Sequence, residues 1–263
     1  MPPTTPVVSR RIHAERLVLL GWSRAILLQL AHPLMAAAVA DHSSFRAGPL
    51  AAAGRLRHTV GAMLDLTFGD EVAHSRALAG IRAIHDRVHG RLAAAVGMFP
   101  AGTPYSANDP DLLLWVHVTL LESVVLAHET FVGPLDAGER NAYCEESAPV
   151  AISLGARTDD VPRRWGDLVD RVAAVVASGV LCVGADARTL AGAVLAPPMS
   201  RVIWPATWLN RAFTIGTLPA EVRRQYGFHE PSPSSGHLRQ AGRIVRGLRR
   251  VTPRVVAHWG RSR

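Results

Sequence analysis

The sequence predicts an all-α protein, and three observations favour this class. Aromatic residues make up only 6% of the 263 residues, whereas alanine, leucine and valine dominate the hydrophobic 48%. Alanine and leucine favour helices, and β-branched and aromatic residues favour strands. Apolar residues recur at helical spacing, and we find no alternating pattern bounded by hairpin turns. We therefore expect a single multi-helix domain.

Turn-forming pairs such as Gly69-Asp70 and Gly133-Pro134 separate the predicted helices. The expected helices span residues 11–32, 33–42, 50–68, 70–97, 109–131, 136–154, 162–178, 186–193, 200–214, 219–225 and 236–250. We expect a flexible segment at 1–14, a helical domain at 15–230, and a basic helix and tail at 231–263.

The most apolar stretch runs from Leu17 to Ala40 and is interrupted by Arg24, Gln29, His32 and Pro33. A central charge is costly in lipid, and a proline inside a helix removes a hydrogen bond and kinks it. We interpret the stretch as a buried, kinked helix and not as a membrane span.

A helix beginning near Asp109 has the clearest start signals. Asp109 can cap the helix, Pro110 suits its first position, and an acidic residue follows at position 111. Residues 112–127 are apolar on nearly every face, which is typical of a helix in the middle of a bundle. We therefore place this helix at the centre of the fold.

The net charge is +8, and all 29 basic residues are arginine. Eight of them lie in residues 239–263, which predicts a peripheral contact with anionic lipid through the C-terminus. No aromatic residues for base stacking alternate with these arginines, so nucleic acid is not expected as a partner.

The N-terminal segment and the cysteine content bear on where the protein is located and on which disulfide or metal sites it could form. Residues 1–6 lack the apolar core of a signal peptide, so we expect a cytoplasmic protein. Cys144 and Cys182 are too few for a disulfide framework or a four-thiolate metal site. The sequence makes no prediction about oligomeric state.

The central helix contains three polar side chains, those of His117, Glu122 and His128. An unpaired buried polar group costs about 1–3 kcal/mol, so each of them needs a partner or a function. One interpretation is that the two histidines are core residues bonded to neighbouring carbonyls. The other is that His117 faces a functional pocket.

His85 falls near the centre of an apolar stripe formed by Leu78, Ile81, Ile84, Val88 and Leu92. A single neutral imidazole in an apolar cleft is what a proximal haem ligand requires. His85 and His89 could instead bind zinc together, but no glutamate adjoins His85 and no third ligand is evident. A purely structural histidine is the third interpretation.

The helix predicted over residues 50–68 contains Arg55, His58 and Thr59. Arg55 and Thr59 are one turn apart and share a side of the helix. A fixed cation and a hydroxyl beside a cavity could hold a haem propionate or polarise dioxygen. Arg55 could equally pair with an exposed carboxylate.

Across residues 15–250 the sequence resembles the family that contains the rubber oxygenase (latex clearing protein) and the MpaB-type catalytic domain. The matching segments are Gln29–Pro33, His42–Phe45, Arg55–Thr59, Phe68-Gly69, His85–Gly90, Tyr105–Pro110, Leu114–Leu120, Phe131–Pro134 and Leu218–Tyr226.

This resemblance implies a globin-like helical core, haem b held by one proximal histidine, and dioxygen chemistry on an apolar substrate of terpenoid, lipid or polyketide type. It places the proximal iron ligand at His85, with His89 as the alternative. Arg55 and Thr59 match the distal haem environment, and His58 stands where rubber oxygenases have a lysine.

The resemblance further implies a distal role for His42, and a role for His117 in orienting the pocket or contacting a propionate. The acidic residue proposed as a base in rubber oxygenases has no clear counterpart, because Asp41 and His42 lie only in the right neighbourhood. We therefore expect a haem-dependent oxygenase, and the missing counterpart argues against polyisoprene cleavage without identifying the substrate. The alternatives are a non-catalytic haem-binding or lipid-binding protein, and an interaction protein that uses its arginine-rich tail.

Overall fold

A computed structural model describes residues 7–42, 49–195, 204–228 and 235–259. The side chains of residues 49–53, 55, 56, 204 and 235 lie outside the description. The sequence signals that fall on Phe45, on the Pro197-Pro198 pair and on residues 260–263 also lie outside it.

The described residues confirm the all-α prediction. They form thirteen α-helices, one short 3₁₀-helix (Arg16–Leu19) and a two-stranded hairpin. The helices are α1 (Val7–Ala14), α2 (Leu20–Leu30), α3 (Pro33–His42), α4 (Pro49–Phe68), α5 (Glu71–His85), α6 (Pro110–Phe131), α7 (Ala137–Leu154), α8 (Trp165–Ala177), α9 (Ala185–Leu195), α10 (Trp204–Thr217), α11 (Ala220–Gln225), α12 (Ser235–Val251) and α13 (Arg254–Ala257). The strands are β1 (His89–Arg91) and β2 (Pro104–Ser106).

Helix α6 lies at the centre of the fold, as its apolar composition predicts. It contacts α2, α7, α8 and α12. The Asp109 carboxylate accepts hydrogen bonds from the Asp111 and Leu112 amides, so the predicted cap is formed. Pro110 occupies the first turn, where its missing N–H leaves no donor unpaired.

Helix α2 packs most closely against α6. A Cβ added at Gly21 would lie 2.3 Å from the carbonyl oxygen of Ser123, so only glycine permits this approach of the two backbones. Trp115 Nε1 donates to the carbonyl of Leu28 at 3.2 Å, and Gln29 donates to the Thr119 hydroxyl at 3.1 Å.

The stretch from Leu17 to Ala40 is buried and sharply bent, as predicted. The two helical segments, Arg16–Leu30 and Pro33–His42, meet at an angle of 107°. The turn at Ala31 and His32 precedes Pro33, whose ring cannot continue the helical hydrogen bonds. The chain therefore reverses from the α6 contact towards the small hairpin.

By length and hydropathy alone, α6 could cross a membrane, and so could the bent pair around Pro33 if it were one span. However, 67% of the apolar window of α6 is buried inside the protein. Burial of this kind is typical of the core helix of a folded domain.

The helix predicted over residues 70–97 is wrong in its second half. Helix α5 ends at His85, and residues 89–91 instead form β1, which pairs antiparallel with β2 in the register Gly90 opposite Tyr105. The signal is weak in the sequence because each strand has only three residues. The expectation that the protein has no strands is therefore wrong, since the described residues form one hairpin.

The N-terminal prediction also differs from the observed structure. Residues 7–14, assigned from sequence to a flexible segment, form α1, in which Ile12 is fully buried. The Glu146 carboxylate accepts hydrogen bonds from the first backbone amides of α1, including that of Ser9 at 2.7 Å. This long-range cap has no local sequence signature.

Arg24, the charged residue in the middle of the most apolar helix, has an acidic partner. Its guanidinium contacts the Glu122 carboxylate at 2.8 Å and donates to the Ser123 hydroxyl and to the carbonyl of Thr217. The side chains of Arg24 and Glu122 are 3% and 13% exposed. The two charges therefore neutralise each other between α2 and α6.

We predict that Arg24→Met lowers the free energy of unfolding by about 3–5 kcal/mol, because it leaves the buried Glu122 carboxylate without its partner. Arg157→Met is the matched control, since the Arg157–Asp111 pair is 54% and 72% exposed. Solvent screens such a surface pair, so breaking it should leave the free energy of unfolding almost unchanged. Urea titration measures both, and equal losses would contradict the assignment.

Candidate functional site

The candidate site begins with the helical hairpin of α4 and α5. The two helices contact each other and are joined by Gly69 and Asp70. A Cβ at Gly69 would lie 2.4 Å from the carbonyl of Asp65, and Asp70 caps α5 by accepting from the Ala73 amide at 2.8 Å. An antiparallel pair brings the end of α5 back towards the first half of α4.

His85 is the last residue of α5, and its ring is only partly exposed. The Nδ1 atom is buried and has no hydrogen-bond partner among the described residues. Burial lowers the pKa of His85 below its ordinary value, partly offset by the charge of Asp86. The imidazole is therefore neutral at pH 7 and has a ring nitrogen that no described residue satisfies.

The helix that bears His85 is unusual, because none of its residues is fully buried. The predicted apolar stripe of Leu78 and Ile81 is half-buried, and Ile84 is 51% exposed. On α4, Val60 and Met63 are also only partly buried. The described part of the hairpin of α4 and α5 therefore has accessible apolar side chains on the helices that lead to this imidazole.

His89 does not share a helix with His85, since it begins β1. Its side chain is exposed, and its Cα lies opposite Ser106 in the hairpin. The four-residue helical spacing assumed for a two-histidine zinc site is therefore wrong. Among the described residues, no group of three or more histidine, cysteine or acidic side chains could hold a metal ion.

A cluster of polar side chains lies where α3 meets the hairpin. The Tyr105 hydroxyl donates to the Asp41 carboxylate at 2.5 Å and lies 3.3 Å from His42 Nε2. His42 Nε2 is also 3.1 Å from the carbonyl oxygen of His89. The structure thus brings His42 and His89 together, although only through the backbone of His89.

Sequence reasoning missed the part that Tyr105 plays in this cluster. Tyr105 is buried, and its pKa is raised by burial and by the hydrogen bond to Asp41. Gly90 permits the contact, because a Cβ there would lie 2.4 Å from the Tyr105 oxygen. The Tyr105–Pro110 segment was noted as part of the family resemblance. Nothing local in the sequence, however, links Tyr105 to Asp41.

The cluster is joined to the end of α5 by backbone bonds. The Val88 amide donates to the carbonyl of His85 at 3.0 Å, and the Ala107 amide donates to the carbonyl of Val88 at 2.9 Å. Asn108 donates to the Asp86 carboxylate at 2.8 Å. The position of His85 is therefore set by the same hairpin that orders Tyr105.

His32 is a buried histidine beside the hairpin that the sequence did not single out as a site residue. Its ring lies 5.3 Å from that of Phe99, and its Nδ1 accepts from the Leu34 amide at 3.3 Å. Burial lowers its pKa to about 4, partly offset by Asp109. These contacts explain His32 as a residue that stabilises the bend before Pro33.

His117 lies on α6 and is 8% exposed. Its Nε2 is buried and has no partner among the described residues, and burial lowers its pKa to about 4. His128, on the same face, contacts the carbonyl of Gly133 at 3.0 Å. The core interpretation therefore explains His128, whereas His117 retains an unsatisfied nitrogen.

The three predicted residues of α4 are placed only in part. The backbone of Arg55 lies in α4, but its side chain is outside the description. His58 and Thr59 are exposed on the same helix. The distal role predicted for all three stays a prediction.

A separate cavity of about 700 Å³ lies between α6, α8 and α11. Its lining is largely apolar, with Val172 and Leu181 among its residues, and includes the carboxylates of Glu122 and Glu221. None of the predicted site residues lines it. It is therefore distinct from the cluster around His85.

Comparison with known proteins identifies the family. A family model described as "ER-bound oxygenase mpaB/B'/Rubber oxygenase, catalytic domain" matches residues 10–252, nearly the whole chain. Neither the search of curated proteins nor that of solved structures finds a match.

The lowered pKa of His117 predicts a pH dependence of stability. Between pH 6.5 and about 4 the unfolded chain takes up a proton that the folded imidazole does not, so stability falls as the pH falls through this range. His117→Leu removes this proton uptake, and the slope of unfolding free energy against pH should decrease by up to about 1.4 kcal/mol per pH unit near pH 5. Urea titrations between pH 4.5 and 7.5 measure it; an unchanged slope would show that folding does not lower the pKa of His117.

Proposed function

Because the chain belongs to the family of the ER-bound oxygenase mpaB/B′ and rubber oxygenase catalytic domain, we propose that it is a haem b-dependent oxygenase that acts on an apolar substrate. The family supports an oxygenase role. The observation that supports haem in particular is His85, a neutral imidazole at the end of α5 whose buried Nδ1 has no partner among the described residues.

The residues around His85 fit haem b better than a bare metal ion. Haem needs one axial nitrogen and an apolar slot, whereas zinc needs three or four protein ligands. Among the described residues His85 is a candidate for the axial nitrogen, and Leu78, Ile81 and Met63 are half-buried apolar side chains on the same helical hairpin. They contain no cluster of metal ligands of the second kind.

In this proposal His85 holds the iron, and haem b, when bound, supplies the binding and activation of dioxygen. The protein contributes position and exclusion of water. Lowering the pKa of His85 keeps the imidazole in the neutral form that ligates. The backbone bonds from Val88 and Ala107 orient the end of α5.

Arg55, His58 and Thr59 are the proposed distal and propionate-binding groups. A guanidinium binds a carboxylate in a planar, bidentate way, and a threonine hydroxyl can donate to an oxygen atom that gains negative charge. His117 has a buried nitrogen without a partner among the described residues, and we assign it to the same bound group because of the family resemblance. These roles rest on the family resemblance and on the location of the residues on α4 and α6.

His42 is the proposed proton-handling residue. Its Nε2 lies between the Tyr105 hydroxyl and the carbonyl of His89. The Asp41 carboxylate accepts the Tyr105 proton and so keeps that hydroxyl oriented. Asp41, Tyr105 and His42 therefore form a hydrogen-bonded chain that ends at the exposed imidazole of His42. We assign the proton to that imidazole.

The substrate is proposed to be apolar, of terpenoid, lipid or polyketide type. The half-buried side chains in the described part of α4 and α5 include those of Val60, Met63, Leu64, Leu78 and Ile81. Such a lining binds an apolar molecule by excluding water and provides few groups for a charged one.

We predict that purified protein, or protein reconstituted with haem, has a Soret band that His85→Ala removes, because the iron loses its axial nitrogen. His89→Ala is the matched control, since His89 lies in the same segment but is exposed. Visible absorption spectroscopy measures both. Retention of the band in His85→Ala would disprove the ligand assignment, and loss only in His89→Ala would transfer it to His89.

We further predict that Thr59→Val retains the Soret band but reduces dioxygen consumption by about 100-fold, the typical effect of removing one donor to a developing charge. Thr67→Val is the control on the same helix, because its hydroxyl contacts the Met63 sulfur at 3.8 Å. An oxygen electrode with a panel of terpenoid and fatty substrates provides the measurement. Equal rates in the two variants would rule out the distal role of Thr59.

A further inference from the structure

Helix α12 is attached to the fold by one face. Leu238 is buried in a cluster with Phe131 and Phe213. Gly242 lies directly against α6, because a Cβ there would be 2.8 Å from the carbonyl oxygen of Thr130. These contacts fix which side of α12 faces the protein (its inner face) and which side faces the solvent (its outer face).

Ionic contacts hold the end of α12 and the short helix α13 to the N-terminal region. The Arg249 guanidinium pairs with the buried Glu15 carboxylate, and His258 Nε2 lies 2.9 Å from the same carboxylate. The Trp259 amide donates to the carbonyl of Ala14 at 3.0 Å. Both helices are thus anchored, so the same side of each helix faces the solvent.

The outer face exposes an apolar stripe, formed by Ile244, Leu248 and Val251 at spacings of four and three residues. These side chains are 57%, 60% and 79% exposed. Val255 and Val256 add two more on α13. Half of the ten large hydrophobic side chains that are exposed in the described part of the chain therefore lie on these two helices.

A second stripe consists of Arg239, Arg243, Arg246 and Arg250, at spacings of four, three and four. It lies on the other flank of the exposed face, about 140° around the helix axis from the apolar stripe, and Arg246 also donates to the carbonyl of Glu129. Residues 235–259 contain six arginines and no acidic residue. Arg249 is neutralised by Glu15, but Arg239, Arg243 and Arg250 form no ion pair with any described residue. The surface is therefore both apolar and strongly cationic.

We propose that this outer face of α12 and α13 binds a membrane surface that contains anionic phospholipid. An exposed helix with an apolar stripe flanked by arginines can lie in the plane of the interface, with the apolar side chains among the acyl chains and the guanidiniums at the phosphates. The six arginines and the absent acidic residues provide the charge complementarity. The proposal is independent of haem binding, although a membrane is also a source of apolar substrates.

Two other occupants fit the surface less well. Nucleic acid would leave the apolar stripe in water, and the stripe has no aromatic side chain on which a base could stack. A second copy of the chain, paired about a two-fold axis, would bring two arginine stripes towards each other. An anionic bilayer is the occupant that satisfies both stripes at once.

The test is co-sedimentation of the full chain with vesicles of phosphatidylcholine alone or with 30% phosphatidylglycerol. We expect binding at least ten-fold tighter to the anionic vesicles, weakened by added salt. Arg239→Gln/Arg243→Gln/Arg250→Gln should remove the preference for anionic vesicles. Ile244→Ser/Leu248→Ser/Val251→Ser should reduce binding to both kinds of vesicle at least ten-fold.

The matched control is Met98→Ser/Arg164→Gln, which changes an exposed apolar residue and an exposed arginine elsewhere on the surface and should bind as the unmodified chain does. Circular dichroism checks that each variant is folded. Equal binding of all variants would overturn the proposal, as would tighter binding to a DNA duplex than to vesicles. A dimer that dissociates only in the serine variant, without vesicle binding, would assign the face to a second copy. The Soret band of each variant tests the haem proposal separately.

Discussion

The contact between α2 and α6 is the constraint on which the rest of the structure depends. Gly21 allows the two backbones to touch at Ser123, and the Arg24–Glu122 pair then lies in their interface. Because two charges are removed from water there, the interface tolerates only the arrangement in which they meet. This arrangement sets the direction of α2, and the 107° bend before Pro33 then directs α3 towards the hairpin.

The polar groups of the core fall into two classes when their partners are considered. Arg24, Gln29 and His128 are each satisfied by a neighbouring side chain or carbonyl, so they are explained by the fold. Six buried side-chain atoms have no partner among the described residues, namely His13 Nδ1, Trp22 Nε1, His85 Nδ1, His117 Nε2, Thr214 Oγ1 and Trp259 Nε1. Each unsatisfied buried group costs stability, so the fold alone does not explain them.

The site and the proposed membrane face lie on elements that the fold holds in different ways. The end of α5 and Tyr105 are ordered by the hairpin, through backbone bonds and the close contact at Gly90. The orientation of α12, and therefore of its outer face, is fixed by contacts on its other side. Gly242 packs against α6, and Arg249 pairs with Glu15. Each surface can therefore be altered without unfolding the other.

The sequence by itself determined the all-α class, the central position of α6 and the bend at Pro33, because each follows from local composition or spacing. It also singled out His85, whose role as a ligand stays a prediction. Only the tertiary structure decided that α5 stops at His85, that Tyr105 bonds to Asp41 and that Glu15 pairs with Arg249. Those pairs are separated by 64 and 234 residues. Periodicity reports which face of a helix is buried, but which distant side chain meets it depends on how the helices pack.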